Sequence, residues 1–405
     1  MKRVAIVGGG WAGLSAAVHA VEAGHEVQLF EMAPQLGGRA RSLADGLDNG
    51  QHILIGAYTE TLSLLRTVGV DVSECFLRTP LRLRYPDHEG LALPTGHALI
   101  AFSRGVLACN AWPLSARLAL LSAATGWLLR GFRCAPNLSV SELCARLPLI
   151  IREQLIDPLC VAALNTPAPQ ASARVFLRVL KDALFSGPGS ADLMLPRRPL
   201  SQLLAEPAKT WLEQRGAKIE LSHRVQSLED LTGFDAVVLA ATSVESARLT
   251  AERAPAWSAL AQGLNFEPIV TVYLESPGTA LPAPMVALHG EPAQFVFDLG
   301  QLGHAPGRFA FVVSGARAWV ERGLDACAEQ TLAQATKDLK WASPPTLLRT
   351  LAEKRATFAC TPDLQRPPMQ ITPGLVAAGD YIAGPYPATL EGAVRAGRAA
   401  VEALR

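Results

Sequence analysis

The feature that most limits what this chain can become is the run Val4-Ala-Ile-Val-Gly-Gly-Gly-Trp-Ala-Gly-Leu near its start. Four apolar residues are too few for a helix and suit a strand buried on both faces. Gly8, Gly10 and Gly13 then turn the chain sharply, and Leu14-Ser-Ala-Ala-Val-His-Ala-Val-Glu-Ala runs on as a helix to a stop at Gly24. A second apolar strand, Glu26-Val-Gln-Leu-Phe, delivers Glu31. Each piece has a task in holding a dinucleotide. Gly8 permits the tight turn, Gly10 leaves room for a pyrophosphate, and Gly13 lets the helix lie close on the strand. The N–H groups at the start of that helix, around Ala12 and Gly13, and its positive end hold the phosphates. Glu31, about 20 residues further on, stands where a carboxylate accepts from ribose hydroxyls.

Glycines at this spacing are a weak signal alone, and a ligand-free turn is the plain alternative. Their place between a strand and a helix, with an acid at the right distance, carries the argument. The loop after Glu31 points to a flavin rather than a nicotinamide. Gly37-Gly38-Arg39 lies just past the second strand, where two glycines allow close backbone approach and Arg39 offers a fork of donors to phosphate. The expected cofactor is FAD. No second glycine fingerprint appears, so no dedicated nicotinamide domain is expected and the electron donor stays open.

Composition sets the outer limits. With 405 residues the chain suits more than one domain, and 37 basic against 36 acidic residues argue against a nucleic-acid partner. Seven cysteines, scattered and without a C-x-x-C, indicate neither a disulfide framework nor a metal centre. They read as buried apolar residues of a reducing compartment, so a cytoplasmic protein is expected. The opening Met-Lys-Arg and apolar run resembles a signal peptide but breaks at once into glycines. No uncharged segment reaches the roughly 18 residues that a membrane span needs.

Further along, Asp48-Asn-Gly-Gln-His places Gln51 after the glycine pair, where it is expected to line a flavin ring. His52 beside it is a ligand or proton donor on one reading and a structural residue on the other. From Gly90 to Ser141 there is no Asp or Glu, while Arg104, Arg117, Arg130 and Arg133 sit among apolar residues. A helix starting near Pro113 is expected there. It is either core of a second domain or, with Trp112 and Trp127, a surface resting on anionic lipid across residues 98–133. Residues 139–185 read as helical, broken at Asn165-Thr-Pro-Ala-Pro. A strand over 217–221 precedes Val225, which is expected against the cofactor. Gly374-Leu-Val-Ala-Ala-Gly-Asp is a buried strand ending at Gly379 and Asp380, and a helix rich in small residues continues from Thr389 and Leu390. Asp380 can accept from ribityl or ribose hydroxyls, and the helix N-terminus can aim its positive end at a reduced flavin.

These motifs, with Phe234–Thr242 and Glu353-Lys-Arg-Ala-Thr-Phe-Ala, resemble the flavin amine oxidoreductase and phytoene desaturase superfamily. More narrowly, Asp48-Asn-Gly-Gln-His-Ile-Leu, Pro158-Leu-Cys-Val-Ala-Ala-Leu-Asn-Thr-Pro and Ser190-Ala-Asp-Leu-Met-Leu-Pro-Arg resemble the hydroxysqualene dehydroxylase family. The resemblance implies an α/β fold. Its Rossmann-like FAD-binding domain would take residues 1–80, 196–245 and 355–405, interleaved with an α+β substrate domain of 81–195 and 246–354. It implies reductive removal of the hydroxyl of hydroxysqualene to give squalene, in hopanoid biosynthesis, with an apolar polyprenyl substrate. Such chemistry needs an acid for the leaving hydroxyl and a dry chamber. Asp192, Asn165 and Gln51 are the candidates for polar help. The plain readings are Asn165 as a helix cap and Asp192 as a cap or partner of Arg197. Spacing does not separate this activity from that of a desaturase or isomerase on the same cofactor. An amine oxidase has little support beyond Tyr381 and Tyr386, and a flavin-bound scaffold without turnover is the non-enzymatic alternative. No cysteine stands near Asp380 in the sequence, so non-covalent FAD is expected.

Overall fold

A computed structural model describes residues 1–404. The opening run forms the strand β1 (Arg3–Val7), the helix α1 (Trp11–Glu22) and the strand β2 (Glu26–Phe30), paired in parallel with Val4 opposite Val27. β1 and β2 are inner strands of a six-stranded sheet. Its order from one edge is Gln370–Thr372, Leu375–Ala377, Ala236–Leu239, β1, β2 and Lys218–Glu220. All neighbours run parallel except the hairpin between the first two. Ala236–Leu239, Leu375–Ala377 and Val4–Val7 are short apolar runs because helices or loops cover both faces there.

The closing helix Leu390–Glu402 lies directly on α1. A Cβ on Gly397 would stand 2.3 Å from the Ala12 carbonyl oxygen, and one on Gly392 would meet the Tyr386 carbonyl at 1.9 Å. The missing side chain at Gly397 therefore sets the distance between the two helices, while that at Gly392 lets the preceding loop fold back onto the start of the closing helix. Glu391, fully buried, fixes the helix against Thr59–Thr67, accepting from Thr61 N at 2.9 Å, Thr61 Oγ1 at 2.7 Å and Arg395 Nε at 2.7 Å.

A second sheet of five antiparallel strands has the order Met285–Ala287, Phe295–Asp298, Arg308–Val313, Phe266–Glu275, Thr346–Phe358. The Thr346–Phe358 strand does not carry the chain back to the first sheet, as its place near the chain end suggests. It pairs with Phe266–Glu275 from Thr346 through Phe358, with a register shift between Glu353 and Thr357, so a domain boundary at 355 falls at an irregularity inside one strand. Helices fill the middle, at Ala98–Ala108, Leu114–Leu129, Asp157–Leu164 and Ala173–Phe185. Their apolar faces join the inner face of the second sheet in one large core.

Candidate active site

Between the two sheets lies a cavity of about 760 Å³. Its polar end is built by both chain ends. Gly8, Gly10, Ala12 and Glu31 line it from the first unit, Gly37, Gly38 and Arg39 from the following loop, and Gly379, Asp380, Thr389 and Leu390 from the last. The glycines divide by task. A Cβ on Gly8 would meet the Ala240 carbonyl oxygen at 2.6 Å, and one on Gly13 the Gly8 carbonyl oxygen at 1.8 Å. Gly13 is thus a packing residue and does not line the cavity. At Gly10 a Cβ would meet nothing nearer than Gly38 Cα at 3.9 Å. That position faces open space, as expected where a ligand approaches the backbone. Gly10 is also the N-cap of α1 and supplies no side-chain acceptor, which leaves first-turn N–H groups for an anion.

The charged groups here are tied to one another. Glu31 accepts from Gly9 N at 2.6 Å and Ala33 N at 2.7 Å, which fixes its carboxylate over the glycine turn. Arg39 places Nη2 2.6 Å from Asp380 Oδ1 and donates from Nη1 to the Ala356 carbonyl at 2.7 Å. Burial acts to lower the Arg39 pKa, but the ion pair and hydrogen bond to Asp380, with the charge of Glu353 and the neighbouring Tyr381, together turn the net direction upward. Gln51 lines the cavity and hydrogen-bonds the Tyr273 hydroxyl, which also donates to the Asp48 carbonyl at 2.9 Å. Val225 lines the cavity beside Arg224. His52 lines it too. Burial chiefly, together with the charge of Arg39, lowers its pKa to about 4, so the ring is neutral at pH 7 and a poor proton donor.

Two catalytic candidates do other work. Asp192 turns away from the cavity and pairs with Arg78 at 2.7 Å, not with Arg197. Alternation along Leu193–Pro196 and the residues before it gives the cavity Ala191 and Leu193 and sends Asp192 outward. Asn165 borders the cavity, but its amide is occupied. Nδ2 donates to the Glu267 carbonyl at 3.1 Å and Thr357 Oγ1 at 3.0 Å, while Oδ1 accepts from Gly315 N at 2.6 Å. With φ +47° it caps the Asp157–Leu164 helix at its C-terminus. The carboxylate that sequence reading missed is Asp182. It borders the apolar chamber on Ala173–Phe185, next to Val179 and Ala183, and pairs with Arg178 at 2.5 Å and with the Tyr386 hydroxyl. Helical spacing from Val175 and Val179 was the available signal.

The other end of the cavity is apolar, walled by Phe102, Leu120, Trp127, Leu155, Leu180 and Phe297. Trp127 and Trp112 are buried, not interfacial. Trp127 faces the chamber, and Trp112 donates to Gln154 Oε1 at 2.9 Å. Arg117 is also structural, bonded to the carbonyls of Trp112 and Leu107 at 2.7 Å each. Outward from the same helices stand Leu99, Ile100, Leu107, Leu114, Leu118 and Leu129, all exposed, with Arg104, Arg130 and Arg133 exposed beside them. Leu114–Leu129 is therefore apolar on both sides, one facing the cavity and one the surface. No helix among the described residues is long and apolar enough to cross a membrane.

A glycine-turned βαβ unit closed by the far end of the chain, opening onto an oily chamber, defines a flavin oxidoreductase. Residues 11–405 match the family described as flavin containing amine oxidoreductase, and the chain belongs to it. It is 28% identical to a hydroxysqualene dehydroxylase of Sinorhizobium fredii over 99% of this chain and 98% of that protein. A zeta-carotene desaturase of Synechocystis is 28% identical over 56% of this chain and 50% of its own length. Among solved structures, an oxidoreductase from Methanosarcina mazei superposes with a TM-score of 0.76 at 16% identity, covering 99% of this chain and all of the other. That likeness establishes the fold.

Proposed function

We propose that this protein holds FAD non-covalently and removes the hydroxyl of hydroxysqualene to give squalene, in a hopanoid pathway. The observation that carries the reading is the single cavity that joins the glycine cradle to a chamber walled by apolar side chains. The full-length similarity to hydroxysqualene dehydroxylase favours it over a desaturase, whose likeness covers about half of the chain. An amine oxidase is disfavoured at Tyr386, whose ring already faces the guanidinium groups of Arg178 at 5.2 Å and Arg395 at 4.7 Å. A cationic substrate approaching that ring would be repelled. Among the described residues no cysteine lines the cavity, which supports a non-covalent cofactor.

The cradle residues would hold the cofactor. Gly10 and the first turn of α1 would take the pyrophosphate, Glu31 the ribose, and the Arg39–Asp380 pair and the Thr389–Leu390 helix start the flavin portion. When bound and reduced, FAD supplies a hydride. The chain's own part is to exclude water, orient an allylic alcohol and help its oxygen leave as water. Asp182, with the Tyr386 hydroxyl, replaces Asp192 as the candidate for that proton delivery. The leucine-bearing outer face of the 98–133 region would rest on anionic lipid at the cytoplasmic side of a membrane, next to the supply of apolar substrate.

Product analysis tests the reading: the protein with reduced FAD is offered hydroxysqualene, phytoene and an aromatic amine in parallel. Squalene from hydroxysqualene alone is expected. Asp182→Asn should reduce its formation about a hundredfold or more, within the usual range for losing a general acid, while Asp192→Asn leaves it within about twofold. Turnover of phytoene or the amine instead would assign another activity.

A further inference from the structure

Outside the cavity, two hairpins bring three metal-ligating side chains to one point on the surface. Asp87 and His88 lie in the turn between strands Arg82–Arg84 and Glu89–Ala92. His289 lies between strands Met285–Ala287 and Phe295–Asp298, 202 residues from Asp87. Asp87 Oδ1 is 2.8 Å from His88 Nδ1 and 3.1 Å from His289 Nε2, and the three ligand atoms all fall within 4.8 Å of one another. Both imidazoles stack on Tyr85, at 4.9 Å and 7° for His88 and 4.7 Å and 16° for His289. Tyr85 is itself buried and donates its hydroxyl to the Gln154 carbonyl at 3.0 Å. The ring planes are thus set by an anchored neighbour before any ligand arrives.

We propose that Asp87, His88 and His289 bind a divalent transition cation of the zinc class, which ties the two hairpins together. Two imidazole nitrogens and one carboxylate oxygen suit zinc, nickel or copper, whereas magnesium and calcium prefer oxygen alone. With bonds of about 2.0–2.1 Å, neighbouring tetrahedral ligands stand roughly 3.3 Å apart. The two gaps to Asp87, 2.8 and 3.1 Å, reach that value with a small outward shift of its exposed carboxylate, and the gap between the two imidazole nitrogens is within 4.8 Å. At His88 the proton now shared with Asp87 passes to Nε2, which is buried without a partner, or to water. Water takes the fourth position on the open side. The tie would hold the hairpin that carries Leu91, a cavity-lining residue, against the strands around His289. Cysteine spacing gave no sign of such a site, because its ligands come from hairpins that only the fold brings together.

Calorimetric titration of the metal-stripped full chain with zinc chloride, and separately with magnesium chloride, tests the site. One zinc per chain is expected, with an upward shift of the melting temperature and no response to magnesium. Asp87→Asn and His289→Ala, both at exposed positions, should each weaken zinc binding at least about tenfold and abolish the melting shift. Absence of stoichiometric zinc uptake would overturn the proposal. So would equal affinity in both variants, or magnesium bound as tightly as zinc.

Discussion

His52 sits in the cavity wall with Nδ1 3.4 Å from the Gly50 carbonyl and with the positive charge of Arg39 nearby. An unfolded chain binds a proton at this residue near pH 6.5, whereas the folded one does so only near pH 4. Between those values the unfolded state carries more protons, so stability rises with pH across the window. The contribution is complete above about pH 6.5 and lost below about pH 4, and it amounts to roughly 1–3 kcal/mol, less where water reaches the cavity. In the cofactor-free protein, His52→Gln should flatten the denaturant midpoint between pH 6.5 and 4. An unchanged slope would mean that the ring is protonated in the folded protein. Residues of this kind separate what a sequence reveals from what it hides. Gly8 and Gly13 were legible because a turn at positive φ and a close backbone contact admit no other residue. Asp192 misled because nothing local announces a partner 114 residues away at Arg78. Asn165 misled because its four contacts come from three distant segments.

At the scale of elements, the strands were largely legible. Val4–Val7, Ala236–Leu239 and Leu375–Ala377 are continuous apolar runs, and such runs have few alternatives in an α/β chain. Helices with small or uniformly apolar residues were harder. Ala98–Ala108 carries no acid and no capping side chain, so no boundary signal marked it. Leu114–Leu129 was legible as a helix, but its double-sided character was not, because periodicity needs a polar face to show a direction. That outer face carries the next expectation. With Leu118 and Leu129 both changed to Asp, the exposed positions impose little strain on the fold, and each loses roughly 1.5–3 kcal/mol of apolar transfer to lipid. Sedimentation with phosphatidylglycerol vesicles should fall at least about tenfold, with the melting temperature near that of the parent. Arg130→Glu should weaken binding at low salt and have little effect at high salt, since a surface charge is screened. Vesicle binding indifferent to all three changes would remove lipid as the occupant of this face.

Across the whole molecule, the cradle depends on segments from opposite ends of the chain keeping one relative position. The contact is made through small residues: Gly397 lies against Ala12 and Ser15 of α1, outside the cavity, while its own helix begins at the cavity wall with Leu390. A methyl group at position 397 would stand 2.3 Å from the Ala12 carbonyl oxygen and 2.8 Å from Ser15 Cβ, and backbone on that side leaves the helix no choice but to move outward. Overpacking of this sort costs about 1–3 kcal/mol. It should also open the cradle, although residue 397 does not line the cavity and reaches the cradle only through the backbone of Ala12. Gly10→Ala makes the opposite case, because its added methyl meets no protein atom nearer than Gly38 Cα at 3.9 Å and obstructs the ligand alone. The two variants should separate accordingly in melting curves recorded with and without FAD. Ligand binding raises stability by about 2.7 kcal/mol at a hundredfold excess over Kd. Gly10→Ala should melt near the parent temperature without FAD and lose most of the FAD-induced rise. Gly397→Ala should melt lower without FAD and show a reduced rise as well. A Gly397→Ala protein that is destabilised yet binds FAD with parental affinity would show that the closing helix supports the sheet without shaping the cofactor cradle.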